Sequence, residues 1–329
     1  PGWRWARRLW LGRADPRAGA GCRSPGVQPG ATAQAMTLER VQLVFCLHER
    51  DANSPYPMAL AATYSSIRQR TNASLTVHVI ADASVTTRTR RRLRRSLHAS
   101  DRIRFHAAEG VPEAYRLALE VNGHFSPAII WRAWITEYLP HLKRCILLDC
   151  DLQVLLDIQK IWNLDLQGMC ISAFQGGKPH PQAYYDWLQT TRDRYFRMGV
   201  VLMDLDRIRC SRPFIAGRHR LLEHAPHVKK TIPQAGLLEQ SLFNHYFSKL
   251  YRPLPFPLVP ANRLDQDPDR RTRINRMLRQ HRPMILDLKG WLSDSTISLS
   301  FWSSLLHTPW RQLAVQQTVK PPGPPQSEP

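Results

Sequence analysis

An apolar run, Cys145-Ile146-Leu147-Leu148, ends in two carboxylates one residue apart, Asp149 and Asp151. A stretch of that length and composition reads as a buried strand, and paired carboxylates at its end read as a site at the strand's C-terminal edge. Two neighbouring carboxylates in water-poor surroundings repel, so they need a cation between or beside them. A hard divalent metal bound through oxygen is the commonest such cation. In the plainer alternative Asp149 only ends the strand and Asp151 caps the following turn, and spacing alone leaves the two readings level.

The flanking sequence says what kind of sheet this strand joins. Residues 41–47, 75–81 and 103–106 read as strands, with helical patterns over 58–70 and 86–97 between them. A helix over 128–139, with Trp131, Trp134, Ile135 and Tyr138 inward and Pro140 as its stop, leads into the central strand. Residues 168–174, 195–203 and 284–288 read as further strands, 236–247 as a helix, and 253–267 as an ordered loop. Strands alternating with helices require crossover connections, so the expectation is an α/β fold with a mostly parallel central sheet and helices on both faces. Ligands of such sheets bind beyond the strand C-termini, where Asp149 and Asp151 fall.

With 329 residues, 43% of them hydrophobic and 22% charged, the chain can bury a large core. No apolar run approaches the roughly 20 residues that span a bilayer. The six cysteines form no CxxC pair, and several lie in apolar strands, which points to a reducing, cytoplasmic setting. The net charge of +20 favours phosphates, nucleic acid or an anionic membrane face. Residues 1–35 carry six Arg and one Asp without an apolar period. They read as a disordered basic extension, either upstream translated sequence or a transit-like leader, and the remainder still carries +15. Residues 36–312 read as the folded catalytic domain and 313–329 as a disordered Pro-rich tail.

Four blocks stand in register along the chain. They are Phe125-Ser126-Pro127-Ala128 through Arg132 to Tyr138-Leu139-Pro140; Ile146-Leu147-Leu148-Asp149-Cys150-Asp151; Tyr195-Phe196-Arg197-Met198-Gly199-Val200; and Glu239-Gln240-Ser241-Leu242-Phe243-Asn244. Their order resembles glycosyltransferase family 8, retaining transferases that include bacterial lipopolysaccharide galactosyl- and glucosyltransferases and glycogenins. The resemblance implies a single GT-A type domain that moves a hexose from UDP-glucose or UDP-galactose to a saccharide or glycolipid acceptor such as lipopolysaccharide core.

By the same resemblance Asp149 and Asp151 hold Mn²⁺ or Mg²⁺ against the diphosphate, Arg132 contacts the donor, and Glu239 and Gln240 face the donor sugar and its anomeric centre. Retention then proceeds through a covalent intermediate on Gln240 or a neighbouring carboxylate, or by attack on the face the diphosphate leaves, and both routes stay open. Cys46, His48, Asp51, Asn53 and Tyr56 offer the residue types of the base-covering loop, and Cys150 lies between the two aspartates. The family's late His-x-x-Gly-x-x-Lys block corresponds to Asp287-Leu288-Lys289-Gly290-Trp291-Leu292-Ser293. That makes Asp287 a third oxygen ligand and leaves Lys289 and Gly290 for the diphosphate, with Ser293 in place of the lysine. Arg197 and Met198 replace the Asn and Ala of the acceptor side.

Other features read plainly. Asp204 and Asp206 suit helix capping, the histidines show no paired ligand spacing, and Trp131, Trp134 and Trp162 fall on apolar stripes. Arg88, Arg90, Arg91, Arg92, Arg94 and Arg95 read as encircling a solvated helix, with contact to an anionic inner-membrane surface as the sharper alternative. Three competing functions remain: a haloacid-dehalogenase-like phosphatase, disfavoured by Gln153 and by the strand-helix units before the motif; a basic nucleic-acid-binding protein, lacking a reading helix; and a catalytically degenerate family member.

Overall fold

The computed structural model describes residues 40–51, 54–108, 126–176, 180–232, 238–260, 268–280, 283–288, 304–306 and 308–312. The basic extension over 1–35 and the tail over 313–329 lie outside them.

In chain order the described strands are β1 (Val41–Leu47), β2 (Leu75–Ala81), β3 (Arg102–Ala107), β4 (Arg144–Leu148), β5 (Leu152–Val154), β6 (Ile171–Gln175), β7 (Phe196–Asp204), β8 (Tyr251–Pro253), β9 (Leu258–Pro260) and β10 (Ile285–Asp287). Apart from half-buried Gln42, β1 and β2 are buried along their whole length, as strands covered on both faces must be. They pair in parallel from Val41 with Leu75 to Leu47 with Ala81. The large sheet has the order β3-β2-β1-β4-β7-β6-β8, and only β7 runs against the rest. A second sheet, β5-β10-β9, stands beside it. The α/β, mostly parallel architecture expected from the alternation is therefore the one observed.

Helix α1 (Tyr56–Arg68) begins on Pro55 and carries Pro57 in its first turn, where a missing N–H costs nothing. Its small residues Ala59, Ala61 and Ala62 let it lie close to the sheet. Two buried hydroxyls then fasten it to the turn after β4: Thr63 Oγ1 donates to the Cys150 carbonyl (2.6 Å) and accepts from the Leu152 amide (3.0 Å). Ser66 Oγ accepts from the Val154 amide (3.0 Å). Helix α2 (Thr87–Ser96) is capped by Thr86, whose hydroxyl accepts from the Thr89 amide.

The arginines of α2 surround it except on its buried stripe, and Arg88, Arg91, Arg94 and Arg95 are exposed. Thr89 and Leu93 face inward, Arg90 and Arg94 lie over the Phe105 ring, and Arg92 lies over Trp310. Their stems and planes thus cover aromatic surface, which a count of charges does not reveal.

Three expectations need correction. The helix expected over 128–139 is α3 (Ala128–Trp131), a 3₁₀ turn (Arg132–Trp134) and α4 (Ile135–Tyr138). The tighter turn shifts the inward face, so Trp131 and Ile135 are buried while Trp134 and Tyr138 are only half-buried. The strand expected from 168 starts at Ile171, because Gln167 (φ 49°) and Gly168 (φ 81°) form a left-handed turn. Within 253–267, Leu258–Pro260 is the strand β9 rather than loop, paired in parallel with β10.

The remaining helices are α5 (Gln159–Trp162), α6 (Gln182–Trp187), α7 (Leu205–Cys210), α8 (Arg212–Thr231), α9 (Leu238–Phe247) and α10 (Pro268–Arg279). Asp204 caps α7 by accepting from the Arg207 amide (2.9 Å), and Asp206 pairs with Arg209, as the capping reading requires. No helix among the described residues is long and apolar enough to cross a membrane.

A polar row crosses one face of the large sheet away from the carboxylates. His78 Nε2 lies 2.9 Å from Gln42 Oε1 and His78 Nδ1 lies 2.9 Å from His106 Nε2. Gln42 can only accept there, so His78 carries its proton on Nε2 and accepts from His106 through Nδ1. Burial, with the neighbouring His106 and Arg104 charges, lowers the His78 pKa from 6.5 to about 4. The unfolded chain therefore takes up a proton that the folded chain refuses as pH falls from about 6.5 towards 4. Stability is full above that window and declines through it, by up to about 3 kcal/mol. Thermal unfolding at pH 7 and pH 4.5 checks this: His78→Gln should flatten the dependence, and an equal slope in both proteins would contradict the assignment.

Candidate active site

The C-terminal end of β4 meets a break in β7. Ala173 of β6 pairs with Val201, but the next residue, Phe174, pairs with Arg197, leaving Met198, Gly199 and Val200 without partners on β6. Such a bulge bends the strand and frees backbone groups from the ladder. The Gly199 carbonyl accepts from the Asp149 amide (2.8 Å). The Met198 amide donates to Gln240 Oε1 (3.3 Å), and the Met198 carbonyl accepts from Arg132 Nη1 (3.4 Å). Asn244 on α9 holds the strand from behind, accepting from the Phe196 amide and donating to the Phe196 carbonyl, each at 2.9 Å. The approach is close at Gly199: a Cβ there would stand 2.8 Å from Asp149 Oδ2 and would displace the carboxylate.

Arg132 joins the carboxylates. Nη2 pairs with Asp149 Oδ1, and Nη1 lies 3.5 Å from Glu239 Oε1, with all three side chains at most 13% exposed. Burial opposes the charged guanidinium, but Asp149 and Glu239 outweigh it, so the proton is held more tightly than usual. Gln240 is fixed at both ends of its amide, because Nε2 also donates to the Tyr195 hydroxyl (2.6 Å). Burial keeps the Tyr195 phenol neutral, and Tyr184 and Tyr185 pack around it.

Asp151 lies just beyond Asp149 at the mouth of the small sheet, where its carbonyl accepts from the Leu288 amide (3.0 Å). Tyr56, 46% exposed, stands over this corner. Its phenol is raised by partial burial and then by the charge of Asp151. Asp287 is opposite Leu152 on β10, and its Oδ2 lies 3.6 Å from Arg197 Nη1.

Several candidate residues turn out to support the site rather than line it. Cys46 and Cys150 are buried, and Cys150 Sγ donates to the Cys46 carbonyl (3.5 Å). Burial pushes the Cys46 thiol up to about 12 despite Arg132, which makes it a neutral wall and no nucleophile. The Met198 side chain is in the core, so only its backbone reaches the site. His48 Nδ1 lies 2.9 Å from Asp82 Oδ2 and 3.1 Å from Ser84 Oγ, tying the loop after β1 to the loop after β2. Asp51 is exposed. Asn53, Lys289, Gly290 and Ser293 lie outside the described residues. The sequence did not mark Tyr195, Asn244 and Thr63 as site-holding groups; Tyr195 and Asn244 stand inside recognised blocks, which was the available signal, and Thr63 stands far from all of them.

Among the described residues no group of three His, Cys, Asp or Glu side chains gathers to hold a metal. Asp149 and Asp151 nevertheless provide the oxygen chemistry that suits a hard cation shared with substrate phosphates, for which one or two carboxylates suffice. A cleft of about 710 Å³ between the C-terminal ends of α1 and α2, lined by Arg68, Asn72 and His98 among others, brings none of the candidate residues together.

The sequence pattern of glycosyl transferase family 8 matches residues 50–257, a span that includes Arg132, Asp149, Asp151, Arg197, Glu239 and Gln240. The chain belongs to glycosyltransferase family 8. The match ends before Asp287. General stress protein A of Bacillus subtilis (strain 168) is 30% identical over 94 residues, 28% of this chain and 32% of that protein. The galactosyltransferase LgtC, solved with donor and acceptor sugar analogs, superposes with a TM-score of 0.58 at 17% identity, covering 85% of this chain and 98% of its own. The bifunctional glycosyltransferase WbbM gives 0.59 at 15% identity, covering 88% of this chain and 54% of its own. Mouse xyloside xylosyltransferase 1 gives 0.51 at 16% identity, covering 76% and 97%. These likenesses show a shared GT-A fold. The family 8 chain spans about a third of the curated relative's length and about half of WbbM's.

Proposed function

We propose that this family 8 chain transfers a hexose from a uridine diphosphate sugar to a saccharide or lipid-linked saccharide acceptor with retention of configuration. The observation that carries the reading is the convergence of Asp149, Arg132, Glu239 and Gln240 where β4 ends against the bulge of β7. Loss of a nucleoside diphosphate builds negative charge on the leaving group, and preorganised cations lower that barrier most. Asp149 and Asp151 would hold a divalent cation, which when bound neutralises part of the diphosphate charge. Arg132 holds Asp149 in place and sets Glu239 beside it. Gln240, fixed by Met198 and Tyr195, presents its amide to the sugar without rotational freedom to lose. Tyr56 at the rim offers a ring for the base.

Calorimetry of uridine diphosphate binding with Mn²⁺ and with a chelator, on the wild type and on Asp151→Ala, tests this. Micromolar binding that needs metal and falls at least about 100-fold in Asp151→Ala is expected, the scale of a lost charge pair on phosphate. Absence of binding under any metal would exclude a uridine-nucleotide transferase.

A further inference from the structure

Among the described residues, Arg197 is the cationic side chain of the site whose partner comes from the other sheet. It stands on β7 at the edge of the bulge, paired with Phe174 of β6. Its Nη1 is 3.6 Å from Asp287 Oδ2, and its side chain is 29% exposed where that of Asp287 is 9%. Asp287 comes from the small sheet, opposite Leu152 and next to the Asp151 corner. The pair therefore bridges the two sheets across the mouth of the carboxylate site.

A carboxylate this buried is costly to leave without a countercharge, and the Arg197 guanidinium stands beside it. Arg132 is shared by Asp149 and Glu239 beside Asp151, so that corner keeps net negative charge for a cation, whereas Asp287 and Arg197 form a neutral pair in which a divalent ion at Asp287 meets the repulsion of the guanidinium. We propose that Arg197 is a built-in cation that keeps Asp287 closed to divalent metal, leaving the metal to Asp149 and Asp151 alone, and that the exposed side of its guanidinium meets a donor phosphate. The second half rests on the donor-site reading above; the first does not. Arginine suits both tasks, since its planar fork can pair with one oxyanion while presenting further N–H groups to another.

The test is a calorimetric titration of the full chain with Mn²⁺ and no nucleotide. Arg197→Gln should bind Mn²⁺ about tenfold more tightly than wild type, because a third carboxylate becomes available. Arg197→Gln/Asp287→Asn should return to the wild-type value, and Arg197→Lys, which keeps the charge, should stay near it. No gain in Arg197→Gln, or a gain that survives in the double variant, overturns the assignment of Asp287. Matching melting curves for the Lys and Gln variants separate a local effect from misfolding.

A second arm measures uridine diphosphate at saturating Mn²⁺. A fall of about tenfold in Arg197→Gln supports the phosphate contact, and unchanged affinity overturns it. Failure of wild type to bind the nucleotide at all would defeat the donor-site reading, while the Mn²⁺ series would still decide who occupies Asp287.

Discussion

Arg132→Ala is expected to abolish sugar transfer and to cost the fold about 3–5 kcal/mol, the usual effect of removing one member of a buried ion pair. The reason is electrostatic. Asp149 and Glu239 share this guanidinium and are almost fully enclosed. Without it two carboxylates face each other in a site that cannot hydrate them, so one must take up a proton or the site must open. A triple variant, Arg132→Met with Asp149→Asn and Glu239→Gln, should recover much of the stability and none of the activity. Thermal melts with a transfer assay resolve the two effects. An Arg132→Ala protein that melts like wild type would show that the cluster is more solvated than its burial indicates.

Gly199→Ala is expected to do the reverse, sparing the fold and damaging the chemistry. The added methyl would stand 2.8 Å from Asp149 Oδ2 and 3.5 Å from its Cγ. Asp149 is short and tied to Arg132, so the carboxylate must shift by several tenths of an ångström. Misplacements on the ångström scale cost catalysis about 100-fold. The bulge, free of β6 pairing at this point, should absorb the backbone adjustment for about 1 kcal/mol or less. Transfer rate and melting temperature measured on the same preparation decide it, and a variant with normal turnover would remove Asp149 from the reaction centre.

The legible parts of this molecule were those where one physical rule dominates. β1, β2 and β4 are rich in apolar residues because both their faces are covered, and such stretches announce themselves even with Gln42, Thr76 and His78 among them. The end of β4 at Asp149 and Asp151 could be placed because two carboxylates close an apolar run there.

The small sheet could be read only in part: residues 284–288 announce β10, but β5 and β9 are three residues long, and β5 meets its partner more than a hundred residues away, as Leu152 does with Asp287. The 3₁₀ turn at Arg132 was equally hidden: its helical spacing is ordinary, and only the pull of Asp149 and Glu239 shows why the chain tightens there. Asn244 ends a recognised block, but the sequence does not say what it holds. Its task, closing the hydrogen bonds of a bulged strand, exists only once β7 has bulged.

The bulge also divides β7 into two territories with different freedoms. From Val200 to Asp204 each residue is matched to β4, and Val201 to Met203 also face β6, so a change of size or polarity there is felt on both sides of the sheet. Phe196 and Arg197 lie past the break, joined to β6 alone. A lineage can therefore exchange residue 197, and with it the charge offered to a substrate, without renegotiating the core. The irregularity that builds the site is thus also what makes it modular.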